Sequence, residues 1–211
     1  MPPRTVPPVA ALLTALLVAL ALLVPPPAPA VEAPPPPPPE VVPVAPGLHM
    51  LVGQGGNVAV STGADGIFIV DDQFAPSVPG ILAAIAKLQP GPVRFVINTH
   101  WHQDHTGGNE ALGSRGFAHE VPAAPPAALP VVTFAQAVTL HLNGDEVRVF
   151  HVENAHTDGD AIVHFAKANV MHLGDVYFNG LYPFVDTSSG GSVRGLIRAL
   201  DRILALADER T

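Results

Sequence analysis

The segment Asn98-Thr99-His100-Trp101-His102-Gln103-Asp104-His105-Thr106-Gly107-Gly108-Asn109 gathers three imidazoles and one carboxylate within six residues. In extended backbone, side chains two apart point the same way, so His100 and His102 can converge on one metal ion. The chain then turns at Asp104-His105 and can offer that pair to a neighbouring ion, with Gly107-Gly108 letting the backbone pass close by. Imidazole nitrogens with a carboxylate oxygen are the ligands that zinc takes in open catalytic sites. Two later segments carry matching chemistry. Asn154-Ala155-His156-Thr157-Asp158-Gly159-Asp160 sets a histidine in a turn between two β-like runs, and His172-Leu173-Gly174-Asp175 sets a carboxylate just past a third. His172 itself is read as facing the protein interior or solvent. His49, His119, His141, His151 and His164 have no partner at ligand spacing and are read as ordinary histidines. Asp71 either orients a ligand histidine or simply ends a strand, and Trp101 is expected to pack beside the site.

These residues need strand ends to hold them. From Gly47 onward, short Val- and Ile-rich runs alternate with glycine turns, and Leu48–Val52, Asn57–Thr62 and Ile67–Asp71 read as a meander. Val78, Ile81, Leu82, Ile85 and Leu88 recur at helical spacing within Ser77–Gln89, stopped by Pro90-Gly91. Arg94–Asn98 is the strand that leads into the histidine string. A second set follows at Val131–Phe134, Val138–Asn143, Glu146–Val152, Ala161–Ala166 and Asn169–Leu173, with Asn143-Gly144 as a hairpin turn. Pro122–Pro130 reads as a loop, and Ser192–Asp208 closes the chain as an amphipathic helix. Two sets of strands with helices between and after them predict an α/β protein, two sheets under helical cover.

The composition narrows the chemistry. The chain has 211 residues, 48% hydrophobic and 13% charged, which is enough to bury a core. Ten Lys and Arg against 18 Asp and Glu give a net charge of −8, with no basic block to neutralise phosphates, so nucleic-acid partners are not expected. Cysteine is absent, which removes disulfides, thiolate-bound zinc and thiol nucleophiles. Residues 1–30 read as a signal peptide: Arg4, then an apolar run from Val9 to Val24, then Ala28-Pro29-Ala30. Sixteen residues make about 24 Å of helix, short of the roughly 30 Å hydrocarbon core. The expected location is therefore periplasmic or secreted, with membrane attachment only through an uncleaved signal. Of the 25 prolines, 16 fall in the first 46 residues. Residues 31–46, with Pro34 to Pro39 unbroken, are read as a stiff proline-rich linker, and residues 47–211 as the domain.

The string His-x-His-x-Asp-His, a lone downstream histidine and then Gly-Asp resemble the metallo-β-lactamase fold superfamily from about Gly47 to the end. The wording Val-Asp-Asp-Gln-Phe and Gly-Asp-Val-Tyr-Phe-Asn-Gly is similar to exported bacterial metallo-hydrolases. The resemblance implies an αββα sandwich of two mixed sheets with outer helices. It assigns His100, His102 and His156 to a first metal and Asp104 and His105 to a second. Asp175 bridges the two, as in glyoxalase II-like members. It also implies a further histidine in a Gly-His segment well beyond the bridging aspartate. No histidine follows His172, so a C-terminally shortened form of the fold is expected. The activity implied is that of a zinc hydrolase, with one or two ions. A metal-held hydroxide, oriented by Asp104, would attack an ester, thioester, lactone or β-lactam carbonyl of a small-molecule substrate. Members that hydrolyse β-lactams with a Cys in place of Asp175 carry a Lys three residues on, where this chain has Phe178. A mononuclear iron oxidoreductase of the sulfur-dioxygenase type and an inactive metal-binding remnant are the alternatives.

Overall fold

The structure, a computed structural model, describes residues 34–113, 116–118 and 128–211. The expected signal segment 1–30, His119 and most of the Pro122–Pro130 loop lie outside the described residues. The fold below is that of the compact unit Pro35–Thr211.

Strand β1 (Glu40–Ala45) pairs antiparallel with β2 (Leu48–Val52), which continues to β3 (Val58–Ser61) and β4 (Ile67–Val70). After helix α1 (Val78–Leu88) the chain returns as β5 (Val93–Ile97), parallel to β4, and β6 (Gly116–Ala118) and β7 (Val132–Thr133) extend the parallel half. The resulting sheet has the order β1-β2-β3-β4-β5-β6-β7. The second sheet is antiparallel, in the order β11-β10-β9-β8, built from β8 (Ala137–Leu142), β9 (Asp145–His151), β10 (Ala161–Phe165) and β11 (Val170–His172). The Asn143-Gly144 turn has both residues at positive φ, 52° and 78°, the backbone that a two-residue hairpin needs.

Period-two alternation sorts the strand residues into layers. Phe68, Val70 and Ile97 of the first sheet meet Val147, Val149, Val163 and Phe165 of the second, and this inter-sheet core is buried. Phe68 stacks on Phe95 and on Phe165, with ring centroids 5.1 and 6.1 Å apart. Val58, Val60, Ile67 and Ile69 point the other way, onto Ile81, Ala84 and Ile85 of α1. Phe150 and Ile162 turn outward onto Leu196, Ala199 and Ile203 of the C-terminal helix, Val193–Leu206. Each such fully buried aliphatic or aromatic side chain contributes about 1.5–3 kcal/mol. The layers run helix, sheet, sheet, helix, as expected. Among the described residues, no helix is long and apolar enough to cross a membrane.

The expected linker is corrected at its end. Glu40–Ala45 is a sheet strand, with Pro43 opposite His49. A proline can sit there because β1 is the edge of the sheet, where a missing N–H breaks no ladder hydrogen bond. The extended backbone forced by the preceding prolines leads straight into that edge. Strand β6, which no run of branched residues announced, is the other element missing from the sequence reading.

The two sheets are joined at one end by turns. Asn143 exchanges hydrogen bonds with Asp65 of the β3–β4 turn, at 2.7 and 3.0 Å, and its amide donates to Ser61 Oγ and Gly66 O. The opposite end, where β4, β5 and β11 finish, carries the histidines.

Candidate metal centre

Strand β5 delivers Asn98 and Thr99 to that end, and the chain bends from Thr99 through His102 into a single helical turn, α2 (Gln103–Thr106). His102 itself is extended, with ψ 148°, and its ring meets that of His100 across the bend, while Asp104 and His105 belong to the helical turn that follows. The loop is braced from within. Asn98 Nδ2 donates to His105 O at 3.0 Å, Asn109 Nδ2 to Asn98 Oδ1 at 3.1 Å, and Thr106 Oγ1 to His102 O. His156 reaches the same place from the β9–β10 loop, where Asp160 accepts from the Thr157 amide and hydroxyl at 2.8 and 2.7 Å. Asp175 follows β11. Each sheet therefore supplies part of the cluster.

His102 Nδ1 lies 3.2 Å from His100 Nε2 and 3.0 Å from His156 Nε2. Three nitrogens bound tetrahedrally to zinc at about 2.0–2.1 Å stand roughly 3.3 Å apart, so this spacing fits one ion. The outward nitrogens are all engaged. His100 Nδ1 meets Thr99 Oγ1 at 3.1 Å, His102 Nε2 meets Asp186 Oδ2 at 3.0 Å, and His156 Nδ1 meets Phe184 O at 2.8 Å. Because the Thr99 hydroxyl donates to Asp71 Oδ2 at 2.8 Å, it accepts from His100. Each ring thus donates its outer N–H and keeps the inner lone pair for the site, the tautomer a metal requires.

His105 repeats this arrangement, donating from Nδ1 to Asp71 Oδ2 at 2.7 Å. Its Nε2 is buried and makes no hydrogen bond, although Asp175 Oδ1 lies at 3.1 Å and Asp104 Oδ2 at 3.5 Å. A buried unpartnered nitrogen between two carboxylates is what a second cation would satisfy. Asp175 faces both groups, with Oδ1 toward His105 and Oδ2 3.7 Å from His156 Nε2. His100, His105 and Asp175 also form a compact donor group, so His100 stands at the junction of both. Asp104 is the most open of these carboxylates, with a third of its side chain exposed.

Electrostatics follow from burial and these contacts. Burial, with the charge of His105 beside it, holds His100 down to about 3, leaving a neutral ligand. Burial alone would lower His105 too, but Asp71, Asp104 and Asp175 outweigh it and push His105 up to about 12. An ion must therefore displace a proton there. For Asp71 the desolvation of a fully buried carboxyl is overcome by His105 and His172, which hold it far below the carboxylate range. Asp104 is lowered by His105, and Asp175 is lowered by His105 despite its burial.

The geometry separates the sequence candidates. His100, His102, His156, His105, Asp104 and Asp175 come together. Asp71 sits in the left-handed region, φ 62°, fully buried, and takes the orienting role rather than merely ending a strand. Trp101 packs on His102 with centroids 5.0 Å apart. His172 takes the inward of its two expected settings: its Nε2 points at Asp71 Oδ2, 3.2 Å away, so it lies behind the site. Strand alternation over the three residues of β11 is too short to aim it. Among the described residues, His49, His141, His151 and His164 join no donor group. Asp186 escaped the sequence reading. The Ser188 and Ser189 hydroxyls hold its carboxyl well below the usual range and aim it at His102. A local signal existed in Asp186-Thr187-Ser188-Ser189, an Asx-type turn, but nothing in sequence links it to a histidine 84 residues away. Gly56 is a further supporting residue, because a Cβ there would meet His105 Cε1 at 2.4 Å.

Comparison with known proteins gives one consistent answer. A family model described as the metallo-beta-lactamase superfamily matches residues 49–211. A hydroxyacylglutathione hydrolase of Rhodospirillum rubrum is 27% identical over 134 residues, 59% of this chain and 50% of that protein. The chain thus spans about half the length of this curated relative. A metallo-beta-lactamase from Pontibacter korlensis superposes with a TM-score of 0.66 at 20% identity, over 79% of this chain and 85% of that one. A stereoselective inverting sec-alkylsulfatase from Pseudomonas sp. gives 0.64 at 17% identity, over 82% and 37%. At these identities the structures share the fold.

Proposed function

The chain belongs to the metallo-beta-lactamase superfamily, and on that premise we propose that it is a zinc-dependent hydrolase of small-molecule carbonyl compounds. The observation that carries this reading is the set of four histidines, each with its outer N–H given to an acceptor and its inner nitrogen turned into one cluster. A purely structural cluster has no need to fix four tautomers in the same sense. The name of the R. rubrum relative supports hydrolysis as the reaction.

His100, His102 and His156 would hold one ion, and Asp104 and His105 a second, with the two oxygens of Asp175 shared between them. Nitrogen-rich ligation with carboxylate oxygen favours zinc. Bound zinc supplies a Lewis acid that makes water nucleophilic near neutral pH and polarises a carbonyl. Asp104 would orient the attacking water: it is ionised, partly exposed and beside His105. Its Oδ atoms accept the water proton and return it to the leaving group. Burial of His100, His105 and His156 keeps the ligands dry while Asp104 and Asp175 face the opening. The apolar run from Val9 to Val24 supports an exported protein.

Metal content of protein purified without chelator, with hydrolysis of an ester, a thioester, a lactone and a cephalosporin, tests the reading. One or two zinc per chain and hydrolysis lost in His102→Ala are expected. Iron with oxygen consumption, or no turnover above the His102→Ala background, overturns it.

A further inference from the structure

A groove of about 750 Å³ opens beside Asp104, His105 and Asp175. That volume lies within the roughly 300–1,000 Å³ of sites that enclose small organic ligands. The carboxylates that line it, Asp104 and Asp175, are both candidate metal ligands. Its apolar lining is Met50, Met171, Leu173, Phe178, Leu181 and Ile203, with Asn57, His172, Asn179 and Thr211 as uncharged or weakly basic polar neighbours, and no Lys or Arg lines it. Methionine side chains adapt to flexible apolar shapes. Leu181 is 72% exposed and Tyr177, also lining the groove, 56%, so apolar surface faces water at its mouth. Tyr182 and Phe184 continue that surface on the same segment. Exposed apolar area gathered beside a polar centre marks a binding surface. Phe178 connects the two parts, its ring 6.1 Å from that of His156.

We propose that this groove is an acyl-binding subsite and that the substrates are uncharged esters or thioesters with a medium to long apolar acyl chain. The proposal rests on the hydrolase reading above. The scissile carbonyl sits at the ligand end and the alkyl chain lies along Met171, Leu173 and Leu181. Water adds to the carbonyl carbon, the bond from that carbon to the leaving oxygen or sulfur breaks, and the water proton passes to the leaving atom. The products are a carboxylic acid and an alcohol or thiol. A substrate with its own carboxylate beside the carbonyl finds no Lys or Arg along the groove to pair with it.

The test compares 4-nitrophenyl acetate, butyrate and octanoate with nitrocefin, an anionic β-lactam, on the metal-loaded protein. Calorimetric binding of octanamide and acetamide to the metal-free protein gives a readout independent of catalysis. Each methylene that leaves water raises kcat/KM by up to roughly fourfold, so octanoate is expected to exceed acetate by at least a hundredfold and nitrocefin to be the poorest substrate. Octanamide is expected to bind at least a hundredfold tighter than acetamide. Tyr177→Ser with Leu181→Ser changes two exposed side chains, and it is expected to cut the octanoate-to-acetate ratio at least tenfold. Equal rates for acetate and octanoate with no octanamide binding overturn the acyl groove and leave hydrolysis standing. Octanamide binding without turnover of any ester overturns the hydrolase reading, and the proposal with it. Nitrocefin turned over faster than octanoate overturns the charge argument.

Discussion

Asp71→Asn puts the orientation of the site under direct test, because the substitution changes one atom and no volume. Asp71 Oδ1 accepts the Thr99 amide at 2.8 Å, while Oδ2 accepts the Thr99 hydroxyl at 2.8 Å, His105 Nδ1 at 2.7 Å and His172 Nε2 at 3.2 Å. An asparagine has one acceptor oxygen for these two clusters of donors. With its oxygen toward the Thr99 amide, its NH₂ meets the His105 N–H. Turned the other way, the NH₂ meets the Thr99 amide. The first conflict is relieved when His105 moves its proton from Nδ1 to Nε2, which removes the lone pair from the second site. Losing such a partner costs about 10- to 100-fold in metal affinity, or about 1.4–2.8 kcal/mol. His100 makes no hydrogen bond to Asp71 and feels the change through the Thr99 hydroxyl and the lost carboxylate charge, so the first site is expected to weaken less. Zinc titration against a competing chelator separates the two affinities, and a thermal melt of the metal-free variant verifies that it folds. Two ions bound at wild-type affinity would refute the role given to Asp71. Equal weakening at both sites would refute the claim that it acts chiefly through His105.

Other perturbations follow the same contacts. Asp186→Ala removes the acceptor for His102 Nε2, and a 10- to 100-fold loss of affinity is expected at the first site, read by the same titration. Gly56→Ala places a methyl 2.4 Å from the His105 ring, so loss of the second ion is expected with the first retained, counted as metal per chain. Asp72 provides the pH dependence. Burial raises its carboxyl from 3.8 to about 8, and Oδ2 has no partner. The folded state therefore holds a proton that the unfolded chain releases, and this contribution is complete below 3.8 and lost as pH rises toward 8. In metal-free protein, Asp72→Asn is expected to flatten the fall in melting temperature over that window. An unchanged slope would count against a protonated Asp72.

The histidine string was legible because its chemistry is local: His100, His102, Asp104 and His105 lie within six residues, although the chain bends over Thr99–His102 where the sequence reading expected an extended run. The strands of the inter-sheet core were legible for a similar reason, since Val, Ile and Phe alternate in β3, β4, β9 and β10. What was missed depends on contacts between distant segments. Asp186 and His172 acquire their roles only when loop and sheet meet β4 and β5. The start of the first sheet was hidden by composition, because Pro43 excludes a central strand but not an edge one. The groove was invisible for a further reason. Met50, Met171 and Ile203 come from three elements, and no local pattern distinguishes a groove wall from a core.

The Asn143 contacts give the two sheets unequal ends. Four hydrogen bonds fasten the β8–β9 turn to Ser61 and the β3–β4 turn, independently of any ion. At the other end, the candidate ligands of one cation come from both sheets, His100 and His102 from one and His156 from the other, with the Ala161 N–H to Thr99 O bond between them. A cation held by these three histidines would add one more tie across the seam. Without it, that end keeps the Ala161–Thr99 and His172–Asp71 contacts, while the Asn143 end keeps all of its ties. The amide hydrogen of Ala161 bridges the two sheets at this end, and its exchange rate with and without zinc is the measure of how much an ion there would tighten the seam.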